Sequence, residues 1–319
     1  MRNSQKPKPR VAFQGEHGAF SEAAAIQLLG EGITTVPRAT FDSAFRAIEE
    51  GAADALLAPV ENSLAGSVVR VYDLLLESSL GIVAETILPI EHHLIGCPGA
   101  TLAGLKSVSS HPMALAQCEK FFLSHPELKR VPAEDTAGSV RDVLASGDLS
   151  CAGIAGRPAA VRYGGVILSE GIQDNAENYT RFVLLVPVQR SAGGEASGSN
   201  GCASAAETDL VTELFVQRSD HPSTNLQKMS LALRLAHKPG ALLAALEPFA
   251  RHEINLLKIE SRPIHGSPWE YQFFLDVQSD APPQLEQALR ELSAATSFLR
   301  ILGAYRPARP ESSVSNSNS

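Results

Sequence analysis

Three consecutive residues, Thr180, Arg181 and Phe182, place a hydroxyl, a fixed cation and an apolar ring at adjacent positions near the end of the run IQDNAENYTRF, residues 172–182. That trio suits an anionic substrate that loses a hydroxyl group. A guanidinium grips a carboxylate in two places, and a hydroxyl donates toward a departing oxygen. Asn178 adds an amide to the same run, which is denser in polar groups than a turn before a strand requires. The plainer account, an Asn/Asp turn with an exposed threonine, is the weaker one.

Other stretches carry chemistry at element ends. PVENSLAGSV, residues 59–68, closes an apolar strand with Glu61, Asn62 and Ser63, three hydrogen-bonding side chains where open α/β sheets collect ligands. The alternative is a loop that caps the next helix. SSHPMALAQCEKFF, residues 109–122, sets His111 at a helix start, either as a group titrating near neutrality or as a cap. In GEHGAFSE, residues 15–22, backbone amides and the Ser21 hydroxyl suit a carboxylate at a helix N-terminus, or form a plain capped turn. His92 and His93 alternate faces of a strand and read as structural.

Several classes lose support. There is no Walker loop, HExxH or GxSxG. The four cysteines, Cys97, Cys118, Cys151 and Cys202, form no CxxC and match no zinc spacing, so neither a metal nor another cofactor is expected. A net charge of −8 argues against a nucleic-acid partner. No apolar run approaches about 18 residues, so no membrane partner is expected, and a cytoplasmic location is.

A chain of 319 residues with 44% hydrophobic and 19% charged residues fits two or three globular units. From Val11 short β-type runs alternate with amphipathic helical stretches, including a helix opened by Thr40 and the apolar strand ALLAPV, which predicts an α/β domain. A second α/β segment, about 106–175, begins at KSVSS, has Pro112 at a helix start capped by Ser110 or His111, and makes a second lobe of a domain over 11–188. A cleft between the lobes follows. Residues 189–208 read as a Gly/Ser-rich linker. Residues 228–306 give the order βαββαβ, and 307–319 a disordered tail.

Five motifs in order resemble the prephenate dehydratase family, including its plant-type arogenate dehydratase branch. They are VAFQGEHGAFSEAA, PVENSLAGSV, VSSHPMALAQC, IQDNAENYTRF, and GALL followed by NLLKIESRP. The resemblance implies a two-lobed catalytic domain similar to periplasmic binding proteins, followed by a βαββαβ (ferredoxin-like) regulatory ACT domain that binds phenylalanine. It implies an essential Thr180 with Arg181 and Phe182 beside it in the cleft, and the sites Glu61, Asn62, Ser63 and His111. Gly240, Ala241 and Leu242, with Asn255, Glu260, Ser261, Arg262 and Pro263, match the two effector motifs. Ala19, Phe20 and Met113 depart from the usual family residues.

The expected activity is dehydration and decarboxylation of prephenate to phenylpyruvate in phenylalanine biosynthesis, with L-phenylalanine as feedback effector. Arg181 and amides at helix starts would hold the carboxylates, Thr180 would donate to the leaving hydroxyl, and Glu61 or His111 would supply the proton. Alternatives are arogenate as substrate, or a non-catalytic amino-acid sensor. A homodimer or homotetramer is expected, and a monofunctional chain without a chorismate mutase segment.

Overall fold

A computed structural model describes residues 8–188, 226–264 and 267–308. The expected linker, 189–208, and all but the first two residues of the expected tail, 307–319, lie outside these. The chain divides into two compact units. The first takes the chain through Tyr72 and then Thr86–Val183; the second takes Asp73–Glu85 and Leu184–Ala308.

The first unit contains two sheets. One is built from β1 (Arg10–Gln14), α1 (Phe20–Leu29), β2 (Thr34–Arg38), α2 (Phe41–Glu49), β3 (Ala55–Asn62) and the short β4 (Gly66–Ser67). β1 lies parallel to both β2 and β3, and β4 folds back on the end of β3, with Glu61 opposite Ser67 and Asn62 opposite Gly66. The chain then runs through α3 (Val69–Glu77) and β5 (Leu80–Pro89).

The second sheet is formed by β6 (His93–Gly96), β7 (Ser107–Ser110), α4 (Pro112–Ala116), α5 (Glu119–Ser124), β8 (Lys129–Pro132), α6 (Thr136–Ser146), β9 (Cys151–Ala155), α7 (Arg157–Tyr163) and β10 (Val166–Ser169). Its order is β10-β6-β9-β7-β8. β11 (Tyr179–Pro187) returns to lie beside β3. This two-lobed α/β arrangement is the one expected.

Local signals explain these elements. Thr40 Oγ1 accepts the Ser43 amide and Ser43 Oγ accepts the Thr40 amide, so two orphan donors at the start of α2 are satisfied reciprocally. Asp135 caps α6, and Gly147, at φ 67°, ends it in the left-handed conformation. β3 is buried continuously from Ala55 to Ala58, as a strand covered on both faces must be. Phe13 and Ala19 of the first lobe share one core with Ile95, Val140, Ala155 and Ala159 of the second.

The second unit follows the expected βαββαβ order: β12 (Gln227–Arg234), α8 (Ala241–Arg251), β13 (Asn255–Ile264), β14 (Ser267–Ser279), α9 (Pro282–Ala295) and β15 (Phe298–Tyr305). Its strands run β13-β14-β12-β15, and Gly303 of β15 lies parallel to Ile82 of β5. A Cβ at Gly303 would sit 2.1 Å from the Ile82 carbonyl oxygen, so only glycine fits there. The core joins Leu231, Leu233, Ala245, Phe249, Leu275, Leu285 and Leu292. Buried beside it, Lys228 Nζ forms an ion pair with Glu85 at 2.9 Å. Among the described residues no helix is long and apolar enough to cross a membrane.

Candidate active site

β11 and the residue just before it bring Asn178, Thr180 and Phe182 to one face, because alternate residues of extended chain share a face. β3 ends alongside it, where the Ser63 amide donates to the Tyr179 carbonyl at 2.8 Å. Ser63 Oγ donates to the Glu177 carbonyl at 3.0 Å and accepts the Tyr179 amide at 2.9 Å. The two polar runs singled out in the sequence are thereby stitched into one structure.

Asn62 is its centre. Its Oδ1 accepts the backbone amides of Leu64 at 3.0 Å and Ala65 at 2.8 Å, which fixes the carboxamide orientation. Nδ2 must then point the other way, toward Asn178 Oδ1 at 2.7 Å, Thr180 Oγ1 at 2.9 Å and the Tyr179 carbonyl at 3.2 Å. Thr180 Oγ1 is the acceptor in its bond, so the hydroxyl proton is directed elsewhere. Asn178 and Thr180 are both buried, as is Phe182, which lies in the core.

The network continues into the second lobe. Asn178 Nδ2 donates to Gln117 Oε1 at 3.2 Å, and His92 Nε2 lies 3.0 Å from the same oxygen. A carboxamide oxygen only accepts, so His92 carries its proton on Nε2. Burial pushes the His92 imidazole below its ordinary value, keeping it neutral, and its Nδ1 has no hydrogen-bond partner among the described residues. The Phe20 ring meets His92 edge-on at 5.8 Å. Phe20 opens α1, whose N-cap Ala19 supplies no side-chain bond. Ser21 is buried in that first turn. His92 was read from the sequence as structural and Gln117 was not singled out; the structure puts both in line with Thr180.

Arg181 leaves the strand on the opposite face from Thr180. Its Nε lies 3.4 Å from Glu61 Oε2 and its Nη2 3.4 Å from the Tyr72 hydroxyl. The hydroxyl and the cation, adjacent in sequence, thus have different partners. Strand pleating sends consecutive residues apart, and the guanidinium sits behind the strand as a brace between Glu61 and Tyr72. Glu61 and Asn62 divide between the two faces in the same way. His111 is exposed and caps α4, its Nδ1 accepting the Met113 amide at 3.2 Å.

In the second unit Gly240, at φ 78°, is the N-cap of α8, which Ala241 and Leu242 begin. Asn255, Glu260, Ser261, Arg262 and Pro263 lie along β13, the strand at the sheet's end. Glu260 and Arg262 share one face, Ser261 and Pro263 the other. Arg262 Nη1 pairs with Asp73 at 2.6 Å, and Lys258 with Glu260 at 3.4 Å. Among the described residues no group of three or more His, Cys, Asp or Glu is placed to hold a metal ion.

The family model for prephenate dehydratase matches residues 11–189, and that for the ACT domain matches 229–294. An arogenate dehydratase/prephenate dehydratase 1 of Arabidopsis thaliana, a chloroplastic protein, is 37% identical over 313 residues, covering 93% of this chain and 72% of its own. The solved prephenate dehydratase of Arthrobacter aurescens in complex with L-Phe is 30% identical with a TM-score of 0.75, covering 93% of this chain and 90% of that one. GqqA, described as a novel type of quorum quenching acylase, is 33% identical with a TM-score of 0.76, over 94% of this chain and 98% of its own.

Proposed function

Since the chain belongs to the prephenate dehydratase family, we propose that it converts prephenate to phenylpyruvate, with Thr180 donating to the departing hydroxyl and L-phenylalanine acting as inhibitor through the ACT domain. The observation that carries this reading is the Asn62 carboxamide, whose fixed orientation makes Thr180 Oγ1 an acceptor on one side and leaves its proton for the substrate on the other.

In the reaction the bond between ring and carboxylate breaks, its electron pair enters the ring, and carbon dioxide departs. The ring hydroxyl leaves with its own bonding pair and takes one proton to become water. Aromatisation supplies much of the driving force. The protein has to orient two carboxylates and assist one leaving oxygen. A pre-organised donor at that oxygen is worth about 2–4 kcal/mol. Burial of Thr180 and Asn178 strengthens it, since water does not compete. The first turn of α1, which has no side-chain cap, suits one substrate carboxylate. Of the two acids read from the sequence, Glu61 pairs with Arg181 on the face away from Thr180, which leaves His111 as the candidate, tested by the pH profile of His111→Asn with Glu61→Gln as the comparison.

Arogenate differs from prephenate only in its side-chain amino group, and the Arabidopsis relative carries both activities in its name. An acylase reading follows from the likeness to GqqA. It asks for a nucleophile beside a base, whereas the described partner of Thr180 is an amide donor.

The effector reading rests on the ACT match and on the L-Phe bound in the Arthrobacter protein. Two copies pairing through their ACT domains would complete the phenylalanine site. The test is purified protein with prephenate, with arogenate and with an N-acyl amide, each with and without L-phenylalanine. Preferential prephenate turnover suppressed by L-phenylalanine is expected. Arogenate preference moves the assignment to the sister reaction, and no turnover of either removes the role given to Thr180.

A further inference from the structure

His92 ends the hydrogen-bonded chain that orients Thr180, and packing alone does not account for an imidazole there. The residue is 2% exposed, and its Nδ1 has no hydrogen-bond partner among the described residues. A stranded buried acceptor is destabilising, and a native structure that keeps one has another use for the group. A leucine would fill similar space without that cost. What the imidazole adds is the Nε2 proton, donated to Gln117 Oε1 at 3.0 Å. The ring is also firmly held: the His92 amide donates to Gln173 Oε1 at 2.9 Å, its carbonyl accepts the Ile172 amide at 2.9 Å, and Phe20 meets the ring edge-on.

Gln117 is the least restrained member of the chain. Its carbonyl accepts the Asp174 amide at 2.7 Å, which fixes its backbone, but its side chain is long and half-buried, and among the described residues only His92 and Asn178 hold it, both through Oε1. Asn178, by contrast, is fully buried, so if Gln117 turned away its Nδ2 would have no water to donate to. Asn178 would then rotate to find an acceptor, and its Oδ1 would leave Asn62. That oxygen takes one of the two Asn62 amide protons, and Thr180 Oγ1 takes the other. All of these residues lie in the first compact unit.

We propose that His92 is a positioning residue: its Nε2 proton clamps the Gln117 carboxamide against Asn178, which keeps Asn62 aimed at Thr180. This rests on the dehydratase reading, and it requires no contact between His92 and the substrate.

The test uses the full chain with the variants His92→Leu, His92→Gln, Gln117→Ala and the His92→Leu, Gln117→Ala pair. His92→Leu is expected to lower kcat about tenfold with little change in KM, the size of one lost hydrogen bond felt in the transition state. His92→Gln, whose amide nitrogen reaches where the imidazole Nε2 stands, should recover most of that loss. Because His92 acts through Gln117, adding His92→Leu to Gln117→Ala should lower kcat no further. Urea midpoints check that each variant folds. Nitrogen-15 NMR of histidine-labelled wild type should find the His92 proton on Nε2 and Nδ1 bare, a result that does not depend on any variant folding.

Wild-type turnover of prephenate and of arogenate is measured first, and absence of both counts against the dehydratase reading and takes the role of His92 with it. With turnover present, any of four results overturns the positioning role alone: His92→Leu with unchanged kcat, His92→Gln no better than His92→Leu, losses that add in the double variant, or a neutral His92 with its proton on Nδ1.

Discussion

The Asn62 carboxamide nitrogen lies 2.9 Å from Thr180 Oγ1, while the backbone amides of Leu64 and Ala65 hold the carboxamide oxygen in place. The amide cannot flip without losing both, so the threonine hydroxyl is oriented by a group that is itself oriented. Removing the hydroxyl in Thr180→Val is expected to lower kcat by about 10²–10³, as loss of one pre-organised donor does. Thr180→Ser keeps the donor and should retain most of the activity. Steady-state kinetics on prephenate decides, and full turnover by the valine variant would end the assignment.

Acid stability follows from the buried histidines. Burial holds the imidazoles of His92 and His93 below their ordinary value of 6.5. The unfolded chain takes up protons near 6.5 that the folded one refuses, so their contribution is complete above that pH and is lost as pH falls below it toward the folded values. Glu22 acts in a lower window. Burial alone would raise its carboxyl, but bonds from the Gly18 amide, Thr35 and His17 more than offset this and hold it below 4.5, so its contribution is lost only as pH falls beneath that value. Urea midpoints taken between about pH 8 and pH 5 should fall, and His92→Gln should flatten the decline.

Lys228 and Glu85 are 8% and 1% exposed at their side chains, and Glu85 also accepts the Ala308 amide at 2.9 Å. Lys228→Met leaves a buried carboxylate without its cation and should cost about 3–5 kcal/mol. Adding Glu85→Leu removes the stranded charge and should recover much of that loss. Denaturant titration of the single and double variants measures both.

Gly240 has open space where a Cβ would go, but its φ of 78° disfavours any L side chain. Valine there should cost about 1–2 kcal/mol in backbone strain and reshape the first turn of α8. The concentration of L-phenylalanine giving half inhibition should rise about tenfold. A Gly240→Val protein inhibited like wild type would remove that turn from the effector site.

Much of this was legible in the residues. Thr40 announced its helix through cap chemistry, ALLAPV its burial through an unbroken apolar run, and the second unit its βαββαβ order through alternating periods. The joining of Asn62 to Thr180 agreed with the density of polar groups at two strand ends. Gln117 gave no signal, because it sits just past a short helix and its partner Asn178 lies 61 positions on. The divergence of Thr180 and Arg181 was implicit in strand period, but a polar run read as a cluster concealed it. The grouping of Asp73–Glu85 with the C-terminal strands depends on pairings such as Arg262 with Asp73, 189 positions apart, which no local pattern encodes.

That last grouping bears on how such proteins can be recombined. A chain cut after residue 189 keeps Ile82 and Glu85 but loses Gly303 and Lys228, leaving an open strand edge and an uncompensated carboxylate. The C-terminal unit is therefore not a cassette that exchanges freely between relatives. A working chimera has to carry residues 73–85 from the same parent as its ACT domain, although those residues lie within the stretch matched by the dehydratase model.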